Sequence, residues 1–173
     1  TLSRVENDAP RREDYFDLHG LVASVVADAR FEAGPAGVTV ESHVTPAASL
    51  AAGAMLIKGS AELMRRAVEN IIRNALKFSP AGGVVSVSVD IDARAHRHVL
   101  RVRDRGPGVP SEMLATIFEP FVRGPDGSRS QGYGLGLAIA RRTVEAHGGR
   151  IAAANRTTGG LEMTVTLPWT MTA

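Results

Sequence analysis

Cysteine is absent from all 173 residues, so neither a disulfide framework nor a thiolate metal site can form, a pattern compatible with the cytosol. A dominant charge is also lacking. Twenty basic residues against 18 acidic ones leave a formal net charge of +2, too small and dispersed to compete for nucleic-acid phosphates. No apolar run approaches the roughly 20 residues of a membrane span and no secretory signal opens the chain, so membrane contact is not expected of this fragment. There is no internal repeat and no low-complexity tract. The chain starts at Thr1 without methionine, which suggests a piece of a longer protein. What is present, 44% apolar and 22% charged residues, suffices for one domain with a real core.

Residues 1–13 are polar and read as the end of an upstream helix followed by a linker, with the domain proper over 14–173. Residues 15–18 can form a short strand, and Leu21, Val22, Val25, Val26 and Ala29 then follow helical spacing. Residues 37–44 and 55–57 read as strands flanking an alanine-rich loop. Ser60 is placed to cap a helix that stops at Ser79-Pro80, where proline cannot continue the hydrogen-bond ladder. Residues 84–91 and 98–102 alternate as a hairpin around a polar turn, and a short helix is expected after Pro110. Residues 119–131 lack periodicity and read as a lid; 134–147 read as a helix closed by Gly148-Gly149, and 150–167 as two strands around a turn at 157–160. These elements predict an α/β fold: a two-layer sandwich with a mixed sheet covered on one face by three helices.

Three constellations carry chemistry. In Glu69-Asn-Ile-Ile-Arg-Asn-Ala-Leu-Lys-Phe78, residues Asn70, Asn74 and Lys77 lie at i, i+4 and i+7, a polar stripe between the apolar and solvent faces of the helix. Asparagine oxygens are hard, neutral magnesium ligands, and a lysine ammonium neutralises phosphate. The same stripe reads equally as a solvated face. Asp104-Arg-Gly-Pro-Gly108 ends a strand in a sharp turn, where a carboxylate can accept from an adenine amino group; the alternative is an ordinary Asp-Xaa-Gly turn. Gly132-Tyr-Gly-Leu-Gly136 precedes a helix whose first N–H groups can meet a phosphate, without the ending of a P-loop or the dinucleotide fingerprint. Order and chemistry together fit a magnesium nucleotide. His96 and His98 flank Arg97 in a turn and could ligate metal only with further partners that the sequence does not offer, so they read as a surface hairpin, and the series Arg97, Arg101, Arg103, Arg105 as an exposed strand face.

These motifs, in this order and over nearly the whole chain, resemble the catalytic ATP-binding domain (HATPase_c, Bergerat fold) of bacterial two-component sensor histidine kinases. The stretch 70–78 is similar to that family's N box, 104–108 to its first glycine box, Ile117-Phe-Glu-Pro-Phe-Val-Arg123 to its F box, and 132–137 to its second glycine box. The resemblance implies the cofactors ATP and Mg2+. Asn74 with Asn70 would hold the metal; Lys77 and Arg123, with Arg129 in the lid, would contact phosphate. Phe78 would pack on adenine and Asp104 bond its amino group. Gly106, Gly108, Gly132, Tyr133, Gly134, Leu135 and Gly136 would line the nucleotide. Phe78 stands where the family often has tyrosine and keeps a stacking ring, while Arg105 and Tyr133 depart from the usual asparagine and small or polar residue.

The resemblance further implies partners: the dimerisation and histidine-phosphotransfer domain of the same kinase, and a response regulator receiver domain. None of His19, His43, His96, His98 or His147 lies in the family's acceptor motif. A cytoplasmic domain of a protein anchored in the bacterial inner membrane is expected. Three other readings compete with this one. A gyrase-type ATPase would carry its water-activating glutamate four residues before the magnesium asparagine, where this chain has Asn70; a serine-phosphorylating anti-sigma kinase usually lacks a clear F box; a non-catalytic scaffold has no need of Asn74, Asp104 and the glycines.

Overall fold

The computed structural model describes residues 14–44, 55–120 and 135–169. The expected upstream helix end and linker at 1–13, most of the lid, and Arg123, Arg129, Gly132, Tyr133 and Gly134 lie outside the described residues.

Asp17 separates the first strand from the first helix. Strand β1 (Tyr15–Phe16) ends where the Asp17 carboxylate accepts from the His19 and Gly20 amides and caps helix α1 (Leu18–Ala33). The strand expected over 15–18 is therefore shorter, because the cap turns the chain one residue before Leu18. Strand β2 (Thr39–Val44) follows a turn in which Gly37 has φ +72°, and β3 (Ile57–Lys58) pairs antiparallel with β1. Helix α2 (Ala61–Phe78) starts at Ser60, whose hydroxyl accepts from the Leu63 amide at 3.2 Å, and stops at Ser79 as expected.

Strands β4 (Val84–Asp92), β5 (Arg97–Arg103), β6 (Arg150–Asn155) and β7 (Leu161–Pro168) complete the main sheet, in the order β2-β4-β5-β7-β6. Among the described residues only the β2–β4 pairing of this sheet is parallel, so the sheet is mixed as expected. Ser111–Met113 forms a single 3-10 turn in place of the short helix, and helix α3 (Gly136–Ala146) closes at Gly148, which has φ +78°.

Period-two alternation decides which face is covered. Leu100 and Val102 of β5, with Leu161, Met163, Val165 and Leu167 of β7, are buried. They meet Val22, Val25 and Val26 of α1, Met64, Val68, Ile71 and Ile72 of α2, and Leu137, Ala140 and Val144 of α3 in one core. Truncating such a residue, for example Ile71→Ala, costs about 2–5 kcal/mol. The opposite face is polar. There Arg101 pairs with Asp90 at 3.3 Å and Arg103 with Glu162, in keeping with the exposed arginine face predicted for β5.

His98 corrects an expectation. It is buried, 1% exposed, because its position on β5 shares the parity of Leu100 and Val102 and so faces the core. Its Nδ1 lies 3.0 Å from Nε2 of the equally buried His19, and its Nε2 lies 2.7 Å from the Met55 carbonyl. His96 does sit in the exposed turn, with φ +53°, against the Trp169 ring.

Candidate nucleotide site

Helix α2 places the asparagine stripe between the start of α3 and the glycine turn at 104–108. Asn70 and Asn74 are half-buried, and neither side chain is used in a hydrogen bond among the described residues. At one end, Asn70 faces the start of α3, where a Cβ on Gly136 would lie 3.7 Å from the Asn70 side chain. At the other, the Phe78 carbonyl occupies the place a Gly106 side chain would need, so only glycine lets the 104–108 turn close on the end of α2. The exposed Lys77 ammonium stands 5.5 Å from the centroid of the half-buried Phe78 ring. Leu135 is 46% exposed at the start of α3.

Asp104 is 3% exposed and held rigidly. Its Oδ1 accepts from the Gly106 amide at 2.9 Å and the Leu161 amide at 3.0 Å, leaving Oδ2 with no hydrogen bond among the described residues. The Asp-Xaa-Gly turn is present, and it uses one carboxylate oxygen while leaving the other outside the turn. Burial pushes the Asp104 carboxyl above the usual carboxylate range, while the two amides and the Arg156 guanidinium pull the other way.

Three supporting residues escaped the sequence reading. Asn155 at the end of β6 grips the backbone of Val109, next to Gly108, whose own side chain would come within 2.5 Å of the Asn155 oxygen. Arg156 donates to the Asp104 carbonyl at 2.7 Å. Gly160, at φ +98°, leaves room for that same carbonyl. The pair Gly159-Gly160 was the available signal, since adjacent glycines at a strand end mark a close backbone approach. Beside the stripe, Glu69 pairs with Arg65 at 3.0 Å, and Arg65 with Asp28 of α1 at 2.5 Å, which turns that carboxylate away from the glycines. Among the described residues no cluster of three or more His, Asp or Glu side chains could hold a metal ion.

Residues 59–171 match the family model described as histidine kinase-, DNA gyrase B- and HSP90-like ATPase. The chain belongs to this family. Within it, the similar proteins are sensor kinases. Sensor protein CutS of Streptomyces coelicolor is 34% identical over 170 residues, covering 96% of this chain and 38% of CutS. The mycobacterial sensor histidine kinase MprB has a solved structure with TM-score 0.77 and 27% identity, covering 92% of this chain and all of that one. Full-length ShkA in complex with AMPPNP gives TM-score 0.74 and 26% identity, covering 96% of this chain and 34% of ShkA. The expected family resemblance and two-layer fold are borne out, and the chain is an ATP-binding domain of the sensor-kinase type. It spans less than half the length of the curated relatives it matches. Among the described residues, no helix is long and apolar enough to cross a membrane.

Proposed function

We propose that this chain is the catalytic domain of a protein-histidine kinase: it holds Mg·ATP and presents the γ-phosphate to a histidine on a separate dimerisation domain, for relay to a response regulator. The observation that carries this reading is the buried Asp104 with one oxygen available, set beside Phe78 at the end of a helix whose Asn70 faces the start of α3. Adenine offers an amino donor where guanine has a carbonyl, so a fixed acceptor selects the adenine base. Phe78 supplies the stacking face.

The donor set fits magnesium. Two half-buried asparagine oxygens without a hydrogen-bond duty suit a small hard cation that keeps water and phosphate as its remaining ligands. Asn70 and Asn74 would hold it, and it would supply charge neutralisation between the phosphates when bound. Lys77 adds a positive charge on the same stripe. Arg123, Arg129, Gly132, Tyr133 and Gly134 are proposed to complete the phosphate side.

Transfer is favoured over hydrolysis by the residues around the stripe. Glu69 is turned to the α1 side and ion-paired, and the position used by a gyrase-type base is Asn70. The acceptor imidazole is assigned to another domain: His19 and His98 are buried against each other, His147 is bonded to Ser60 and Thr143, His96 stacks on Trp169, and the exposed His43 sits on edge strand β2 without the family's acceptor motif. In the transfer, the acceptor nitrogen bonds to γ-phosphorus as the bond to the β,γ-bridging oxygen breaks, and ADP leaves. Leu135 and Ile139, four residues apart and each 46% exposed, offer an apolar edge beside this end of the site for the acceptor domain.

Calorimetric titration with Mg·ATP and Mg·GTP, followed by phosphotransfer to an added dimerisation domain, tests the reading. Tight, ATP-selective binding and a labelled acceptor histidine are expected; a well-folded chain that binds neither nucleotide would return the scaffold reading.

A further inference from the structure

We infer that His147 is a positioning residue that fixes the register of α2 against α3, and so sets where Asn70 and Asn74 stand relative to the start of α3 at Gly136. The inference rests on the nucleotide reading above but concerns a residue at the far end of the helix pair.

His147 follows the last turn of α3. Its Nδ1 lies 2.7 Å from the Thr143 carbonyl, so this nitrogen carries the proton and donates. Its Nε2 is then an acceptor, and it receives the backbone N–H of Ser60 at 3.1 Å. Ser60 is the cap of α2, and its own amide would otherwise be one of the unsatisfied donors at a helix start. A neutral imidazole with its proton on Nδ1 therefore ties the end of one helix to the beginning of the other. Phe16 buttresses the ring edge-on, with centroids 6.0 Å apart. The site is shaped around the ring: a side chain at position 59 would run into its Cδ2 and Nε2, and the residue there is glycine.

The two helices run antiparallel, joined at one end by His147 and Ser60 and touching at the other through Gly136 and Asn70. Ten residues from Ser60 to Asn70, at about 1.5 Å each, put this tie roughly 15 Å from the asparagine stripe. Between the ends the helices meet through apolar faces, including Met64, Ala67 and Ile71 on one and Leu137, Ala140 and Val144 on the other. Apolar contact is non-directional and tolerates sliding. The hydrogen bond does not. A slip of one residue along the axis moves the asparagine oxygens by about 1.5 Å. Magnesium demands near-ideal geometry at about 2.0–2.1 Å from its ligands, so a displacement of that size removes one from coordination.

The test compares His147→Phe, which keeps a ring against Phe16 but has no acceptor, with His147→Gln, whose carbonyl can take the place of Nε2. Mg·ATP affinity is measured by calorimetry, and the side-chain amide cross-peaks of Asn70 and Asn74 by nitrogen-15 NMR without nucleotide. His147→Phe is expected to weaken Mg·ATP binding about tenfold or more, the usual cost of losing a group that orients metal ligands, and to shift both cross-peaks. His147→Gln is expected to restore both. A folded His147→Phe protein with unchanged affinity and unmoved cross-peaks overturns the inference, as does a His147→Gln protein no better than His147→Phe. If the phenylalanine variant does not fold, His147→Asn, too short to reach Ser60, takes its place in the same comparison. If the unmodified chain binds no Mg·ATP, the nucleotide reading falls while the cross-peaks still decide whether His147 sets the asparagines.

Discussion

Asn155 holds Val109 by both of its main-chain groups, accepting from the amide at 2.9 Å and donating to the carbonyl at 2.6 Å. One side chain thus does for the glycine turn what a neighbouring strand would do, and anchors it to the end of β6. Asn155→Ala removes both bonds and leaves two backbone groups to find water. At about 1 kcal/mol per bond, a loss of roughly 1–3 kcal/mol in denaturant unfolding is expected. Nucleotide affinity should fall with it, because Gly108 loses its backing.

Asp104→Asn separates stability from binding. The carboxylate is costly to bury, which is why its pKa is raised, and a raised pKa means stability that is complete below the ordinary value of 3.8 and is lost as pH climbs through the folded-state value. The amide keeps an oxygen for the Gly106 and Leu161 N–H groups and removes the charge. Its thermal midpoint at neutral pH is expected to equal or exceed that of the unmodified chain. ATP binding is expected to fall roughly 10- to 100-fold, the worth of a hydrogen bond to a charged group. Parallel thermal melts and calorimetry check both halves.

Asn74→Ala should leave the fold in place and abolish the gain that magnesium brings. ATP titrations with and without the ion measure this; affinities that differ as much in the variant as in the original would remove Asn74 from the metal site. A loss of about 10- to 100-fold in metal-dependent affinity is expected.

The buried histidine pair gives a pH signature independent of nucleotide. Burial holds His98 below its ordinary value of 6.5; the Met55 carbonyl opposes this by accepting from Nε2, His19 adds to the lowering, and Asp17 opposes it. The unfolded chain therefore binds a proton that the folded chain refuses. Stability from this site is complete above pH 6.5 and is lost as pH falls toward the lowered folded-state value. Thermal midpoints between pH 8 and pH 5 should decline below that point, and less steeply in His98→Gln. Equal slopes for the two proteins would assign the decline to other groups.

The layered fold was legible because burial follows local periodicity. The apolar side of α2 and the alternation of β5 and β7 can be read from spacing alone, and each lands in the core. Ser60, Ser79 and Gly148 likewise act within a turn of their own position. What could not be read were contacts between distant segments. The tie between His147 and Ser60 spans 87 positions, Asn155 and Val109 are 46 apart, and His19 and His98 are 79 apart. His98 misled because a histidine near a turn has the composition of a surface residue, while its parity on the strand already matched Leu100 and Val102. The proposed site follows the same division: Asn70, Asn74, Phe78 and Asp104 are proposed from motifs, whereas Asn155, Arg156 and Gly160, which steady the turn, carry no motif.

The short ribbon at the domain's entrance has a mechanical meaning. Asp14 accepts from the Gly59 amide at 2.9 Å, Tyr15 lies opposite Lys58 and Phe16 opposite Ile57, and the next residue after Gly59 is Ser60 at the root of the asparagine helix. Asp14 to Phe16 are therefore tied by backbone pairing to the residues that lead directly into α2, and the two segments form one unit at the root of the helix. The helix that starts at this ribbon is about 27 Å long, at about 1.5 Å for each of its 18 residues, so one rigid rod joins the ribbon to the place where Phe78 meets the glycine turn.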